Sequence, residues 1–83
     1  MTTTTIRFSN SSDKPYYIQV DPWAAVYLLA AGDEIEIVAE SDGDSPAFHV
    51  DECRDTRILT ILYSAEYFIV QHGKRIHWTE YQS

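Results

Sequence analysis

A single cysteine, Cys53, occurs in the 83 residues, so no intramolecular disulfide can form. Secreted domains of this size more often carry paired cysteines, and the lone thiol points to a reducing, cytoplasmic setting. Glycine and proline are scarce too, three of each. With the three glycines standing apart, no Gly-rich phosphate loop is present. Long apolar runs are missing: a run such as Val26 to Ala31 falls far short of the about 20 residues that a membrane-spanning helix needs. The start, Met1-Thr2-Thr3-Thr4-Thr5, has neither the basic nor the apolar region of a secretory signal. A protein that is neither exported nor membrane-spanning is therefore expected, with residues 1–4 unstructured.

Positive charge is also short. Six basic residues face thirteen acidic ones, for a formal charge of −7. Such a surface repels phosphate backbones and anionic lipid, which argues against nucleic-acid and membrane partners. Acidity of this kind keeps a small β-protein soluble and its sheet edges apart. It would equally suit an acidic inhibitor, of an immunity type, that covers a basic site on another protein.

What the chain does have is apolar content, 45% hydrophobic and 13% aromatic. That is enough for one core without metals or disulfides, and residues 1–83 are read as a single β domain. Apolar and polar residues alternate at period two over most of the length. Ile6-Arg7-Phe8 opens the pattern and the turn formers Asn10 to Pro15 close it. Tyr16, Ile18 and Val20 share one face of the next strand, and Ile35 and Ile37 turn inward between Glu34 and Glu36. Ser41 to Pro46 is a loop. Phe48 and Val50 share a face opposite His49 and Asp51, and Arg57 to Tyr63 is apolar on both faces, as in a central strand covered on both sides. Tyr67 to Gln71 and Arg75 to Thr79 form a hairpin around His72-Gly73-Lys74, with Gly73 able to take a positive φ. Strand signals at about ten-residue spacing predict an all-β fold, a small antiparallel β-sandwich or partly open barrel of six to seven strands.

One stretch is ambiguous. Asp21-Pro22 followed by Trp23 to Gly32 also fits a short helix, with Asp21 as N-cap, Pro22 in the first turn and Gly32 as the stop. Asp21-Pro22-Trp23, Tyr27, Leu29 and Gly32-Asp33 together resemble a motif of a family of small uncharacterised bacterial β-proteins. Those carry acidic-Pro-Trp-Gly, a Tyr-x-Leu strand and a Pro-Gly-acidic turn into another strand. The likeness is clearest over residues 20–38, with Ala24 in place of the motif glycine and Ala31 in place of its proline. It implies a strand at Val26–Leu29, turning at Ala30–Asp33 into Glu34–Val38. It implies no activity and supplies no functional residues.

Chemistry-bearing residues are few. His49 and Cys53 are four apart and His72 and His77 five apart, looser than the pairs of structural zinc sites. An extended strand would separate His49 from Cys53 by about 13 Å, and alternation turns His77 away from Ile76 and Trp78. Cys53 stands among the anions Asp51, Glu52 and Asp55, which favour the thiol over the thiolate, so it is expected to be a small buried or half-buried residue. No catalytic residues, cofactor or metal are assigned. Aromatics are the remaining excess. Most, Trp78 among them, are expected in the core, but Tyr17, Trp23, Tyr27 and Tyr81 are taken as a candidate interaction surface, since exposed tyrosine and tryptophan anchor protein contacts. The expected function is a non-catalytic protein-interaction module that binds another protein or a second copy of itself. The alternatives are the acidic inhibitor and a small ligand- or metal-binding protein using His49, His72 or His77.

Overall fold

Period-two alternation becomes eight strands in the computed structural model, which describes residues 2–64 and 66–77. They are β1 (Thr2–Ser9), β2 (Tyr16–Asp21), β3 (Ala25–Leu29), β4 (Glu34–Ser41), β5 (Ala47–Cys53), β6 (Thr56–Leu62), β7 (Glu66–Gln71) and β8 (Lys74–His77). Two four-stranded sheets result, with strand orders β1-β4-β7-β8 (sheet A) and β3-β2-β6-β5 (sheet B). The architecture is the expected sandwich, with eight strands instead of six or seven. One pairing departs from the antiparallel expectation: β2 runs parallel to β6, Ile18 beside Arg57 and Val20 beside Leu59.

The stretch after Pro22 is a strand. Its burial alternates residue by residue, with Ala25, Tyr27 and Leu29 inside and Val26 and Leu28 outside. A helix would have placed its apolar side chains three and four apart on one face. The turn before it contains a cis Asp21–Pro22 peptide and carries Ala24 at φ 57°. Glycine is the residue that reaches that region without a Cβ clash, and alanine adopts it at a cost. The start of the chain is also a strand: Thr2 to Thr5, where residues 1–4 were expected to lie unstructured, pair with Ser41 to Val38. β-Branched threonine suits a pleated surface, and the register continues that of Ile6 with Ile37 and Phe8 with Ile35.

The inward residues of both sheets meet in one core. Ile18, Val20, Leu29 and Leu59 from sheet B and Ile35, Ile37, Ala39 and Ile69 from sheet A are at most 1% exposed. Full burial of a leucine or isoleucine side chain contributes about 1.5–3 kcal/mol. Inside this apolar layer the hydroxyls of Tyr27 on β3 and Tyr67 on β7 hydrogen-bond to each other, joining the two sheets. Trp23 packs edge-on against Tyr67, ring centroids 4.7 Å apart at 68°. Burial, reinforced by the Tyr27 hydroxyl, pushes the Tyr67 pKa well above the ordinary tyrosine range.

Strand β6 is central in sheet B but covered on one face only. Leu59 and Ile61 are buried while Leu62 is 43% exposed, because a two-layer sandwich leaves each sheet an outer face in solvent. Val50, on the same side of the sheet as Phe48, is 40% exposed because β5 is an edge strand.

Replacing Ala24 by glycine should stabilise the protein by about 0.5 kcal/mol. It relieves about 1 kcal/mol of left-handed backbone strain and gives back about half of that as added freedom of the unfolded chain. Urea denaturation of Ala24→Gly measures it, and a loss of stability would contradict the turn geometry.

Candidate functional site

Two features stand out from the ordinary packing of the sandwich. The first is a polar junction at one end, where the β1–β2 loop, the β3–β4 turn and the β7–β8 turn converge. Asn10, 3% exposed, is its centre. Its side-chain amide donates to the carbonyls of Lys14 (2.8 Å) and Leu29 (3.1 Å). Its side-chain oxygen accepts from the Ser12 N–H (3.1 Å) and hydroxyl (2.6 Å). Its backbone N–H donates to the Asp33 carbonyl at 2.8 Å, and its own carbonyl accepts from Gly32 at 2.7 Å. Both hydrogens and both lone-pair directions of the amide are thereby used, the condition under which a buried polar side chain rigidifies its surroundings instead of costing stability.

Next to Asn10, the Asp33 carboxylate accepts from His72 Nε2 at 2.8 Å, Gln71 Nε2 at 3.3 Å and the Glu34 N–H at 2.8 Å. His72 and Gly73 form the tip of the β7–β8 hairpin with φ of 54° and 77°, the pair of positive values of a type I′ turn. Pairing of β4 with β7 places Glu36 beside Val70, so the residues just before one strand and just after the other lie together. The hydrogen bond from His72, followed by that from the Glu34 N–H, holds the Asp33 carboxyl below its usual pKa. Ser9, Asn10, Gly32, Glu34 and His72 line a cleft of 410 Å³ here, beside a smaller one of 170 Å³ between Glu34 and Gly73. Both are open to solvent, unlike the concave pockets that enclose most of a small ligand's surface. The Asp33 carboxylate orients the His72 imidazole, and among the described residues no hydroxyl or thiol hydrogen-bonds to that ring.

The second feature is the outer face of sheet B. Tyr17 (43% exposed) lies directly across from Leu28 (49%), and Val26 (45%) lies across from Gln19. Ile58 of β6 flanks Gln19 on the other side, and the Gln19 amide is held by the Asp21 carboxylate at 3.1 Å. Large apolar side chains thus sit together in solvent, on a surface where charged side chains would be ordinary.

The residues expected at an interaction surface separate in the structure. Tyr17 is on the outer face of sheet B. Tyr27 is 2% exposed and belongs to the core, because β3 alternation turns it to the same side as Ala25 and Leu29. Trp23 is half-buried against Tyr67. Tyr81 lies outside the described residues, as do Trp78 and the side chain of His77. Cys53 is exposed, not buried, at the end of the edge strand β5. His49 pairs with Asp51 of its own strand at 3.2 Å. No group of three or more histidine, cysteine, aspartate or glutamate side chains is arranged to hold a metal ion among the described residues. Sequence reading missed Asn10, Asp33 and the outward Val26 and Leu28. Only the last two had a signal, the strict alternation of β3.

No protein-family model, curated protein or solved structure matches the chain. Nor, among the described residues, is any helix long and apolar enough to cross a membrane.

Because the Asp33 pKa is lowered by folding, its contribution to stability is present above the ordinary aspartate pKa and fades as pH falls through the folded value. His72→Ala should therefore move the Asp33 carboxyl titration, followed by NMR, upward toward the ordinary range. An unmoved titration would show that His72 does not hold the carboxylate.

Proposed function

We propose that the chain is a non-catalytic protein-interaction module that meets another protein through the outer face of sheet B. The cluster of Tyr17, Val26 and Leu28, solvent-exposed beside half-buried Ile58, carries this reading. Tyrosine and large aliphatic residues supply most of the energy in the centre of protein interfaces. The sheet beneath them is fixed by a filled core, so the surface is offered without an ordering cost on binding. The lone exposed thiol of Cys53 and the resemblance to bacterial proteins support a bacterial cytoplasmic setting.

The two alternatives have less support. An acidic blocker needs an unneutralised stripe of carboxylates. Here Glu36 lies 3.0 Å from Arg7, Glu52 3.4 Å from Arg57, Glu40 3.7 Å from Arg75 and Asp33 2.8 Å from His72. A ligand binder would use the cleft at Asp33 and His72, which is open to solvent and whose Asp33 carboxylate already accepts three internal hydrogen bonds.

Leu28→Glu tests the proposal, since it places a charge at the centre of the patch without entering the core. Proteins recovered by the tagged wild type from its native host should be lost by at least about tenfold, equivalent to 1.4 kcal/mol, at an unchanged thermal midpoint. Identical recovery by both forms, or no reproducible partner for the wild type, would refute it.

A further inference from the structure

Strand β5 is one edge of sheet B, and His49 and Asp51 stand one residue either side of Val50, a complementary pair under reversal. Its backbone phase follows from the hairpin to β6. Cys53 and Thr56 flank the two-residue turn Arg54-Asp55, with Asp51 beside Ile58 and His49 beside Thr60. In a two-residue hairpin the flanking residues are hydrogen-bonded to each other. Cys53, Asp51, His49 and Ala47 therefore turn their backbone groups toward β6. The other side of β6 agrees: the Asp55 carbonyl accepts from Tyr17 of β2 at 2.8 Å. Phe48, Val50 and Glu52 are left with their N–H and C=O groups directed away from the sheet. None of the three has a backbone partner on that side among the described residues.

An antiparallel copy of the same edge, related by a twofold axis through Val50, satisfies all of these groups. Val50 meets Val50, and Phe48 meets Glu52 twice, each as a hydrogen-bonded pair. Between them His49 falls opposite Asp51, also twice, in the non-hydrogen-bonded positions where side chains approach most closely. The charged residues that blunt this edge against other strands are thus matched in one register only. A shift by two residues would bring Asp51 against Asp51 or His49 against His49. The arrangement is isologous, as closed dimers require, and it covers Val50, which is 40% exposed.

We infer that β5 pairs with β5 of a second copy of this chain, joining two B sheets into one eight-stranded sheet about a twofold axis at Val50. The surface used is distinct from the Tyr17–Leu28 face, which stays open on both copies. The charge of −7 on each chain opposes the association, so added salt strengthens it by screening.

Sedimentation equilibrium tests the inference directly. The mass should rise with concentration from 9.5 kDa toward twice that value, and more readily in high salt. Val50→Pro removes an N–H that the isolated sandwich does not use, a position where edge strands accept proline. This variant should keep its fold by circular dichroism and stay monomeric. Asp51→Lys should also lose the dimer, and the swap His49→Asp/Asp51→His should restore it with the charges exchanged. Leu28→Glu should dimerise as the wild type does. A wild type that is monomeric at millimolar concentration, a dimer that survives Val50→Pro, or one that Leu28→Glu abolishes would overturn the inference.

Discussion

The hydroxyls of Tyr27 and Tyr67 hydrogen-bond to each other in the middle of an apolar layer, and the relation between the two sheets depends on that contact. Apolar side chains fill a sandwich interior in more than one offset, because burial is non-directional. Breaking the hydrogen bond of a buried hydroxyl costs about 1–3 kcal/mol, so sliding one sheet over the other would be penalised. Trp23 against the Tyr67 ring adds a shape constraint to the polar one. With the offset set, strand alternation decides which residues remain outside: Tyr17, Val26 and Leu28 on sheet B, and the pairs of Arg7 with Glu36 and Arg75 with Glu40 on sheet A. The outer face of sheet B thus gathers exposed Tyr17, Val26 and Leu28, whereas that of sheet A carries ion pairs beside Val38, Phe68 and Val70.

Legibility in the sequence followed the range of the interaction. Glu34 to Ile37 and the His72-Gly73 hairpin were readable because period and turn chemistry are local. The parallel pairing of β2 with β6 was not, since a period of two carries no information about which distant strand lies alongside. Asn10 read as a turn former in a polar cluster. Its burial arises from Gly32, Asp33 and Leu29, contacts that exist only once β1 and β3 are placed. Asp33 and His72 met for the same reason, through the register of β4 on β7. Tyr27 was misjudged because its hydroxyl suggested a surface role, while its parity with Ala25 and Leu29 already pointed inward. Cys53 was misjudged because small apolar character says nothing about a position at the end of an edge strand.

The acidity of the chain takes a clearer form in three dimensions. Several carboxylates are engaged locally, by His72 at Asp33, by Arg7 at Glu36 and by Arg57 at Glu52. Exposed pairs of this kind contribute little to stability. Their effect is on association, because they disfavour indiscriminate contacts at the edges while the outer face of sheet B stays apolar. On the proposed reading, a charged perimeter around an apolar face combines solubility with a defined interface.

Rigid presentation of that face rests on the tie between the sheets, and a double-mutant cycle on Tyr27 and Tyr67 measures the tie most directly. Tyr27→Phe and Tyr67→Phe should each destabilise by about 1–3 kcal/mol, by leaving the partner hydroxyl short of a hydrogen bond. The double variant should cost less than the two together, with a coupling of about 1 kcal/mol or more. Additive effects, within about 0.5 kcal/mol, would mean that the two hydroxyls do not lock the sheets and would contradict the account.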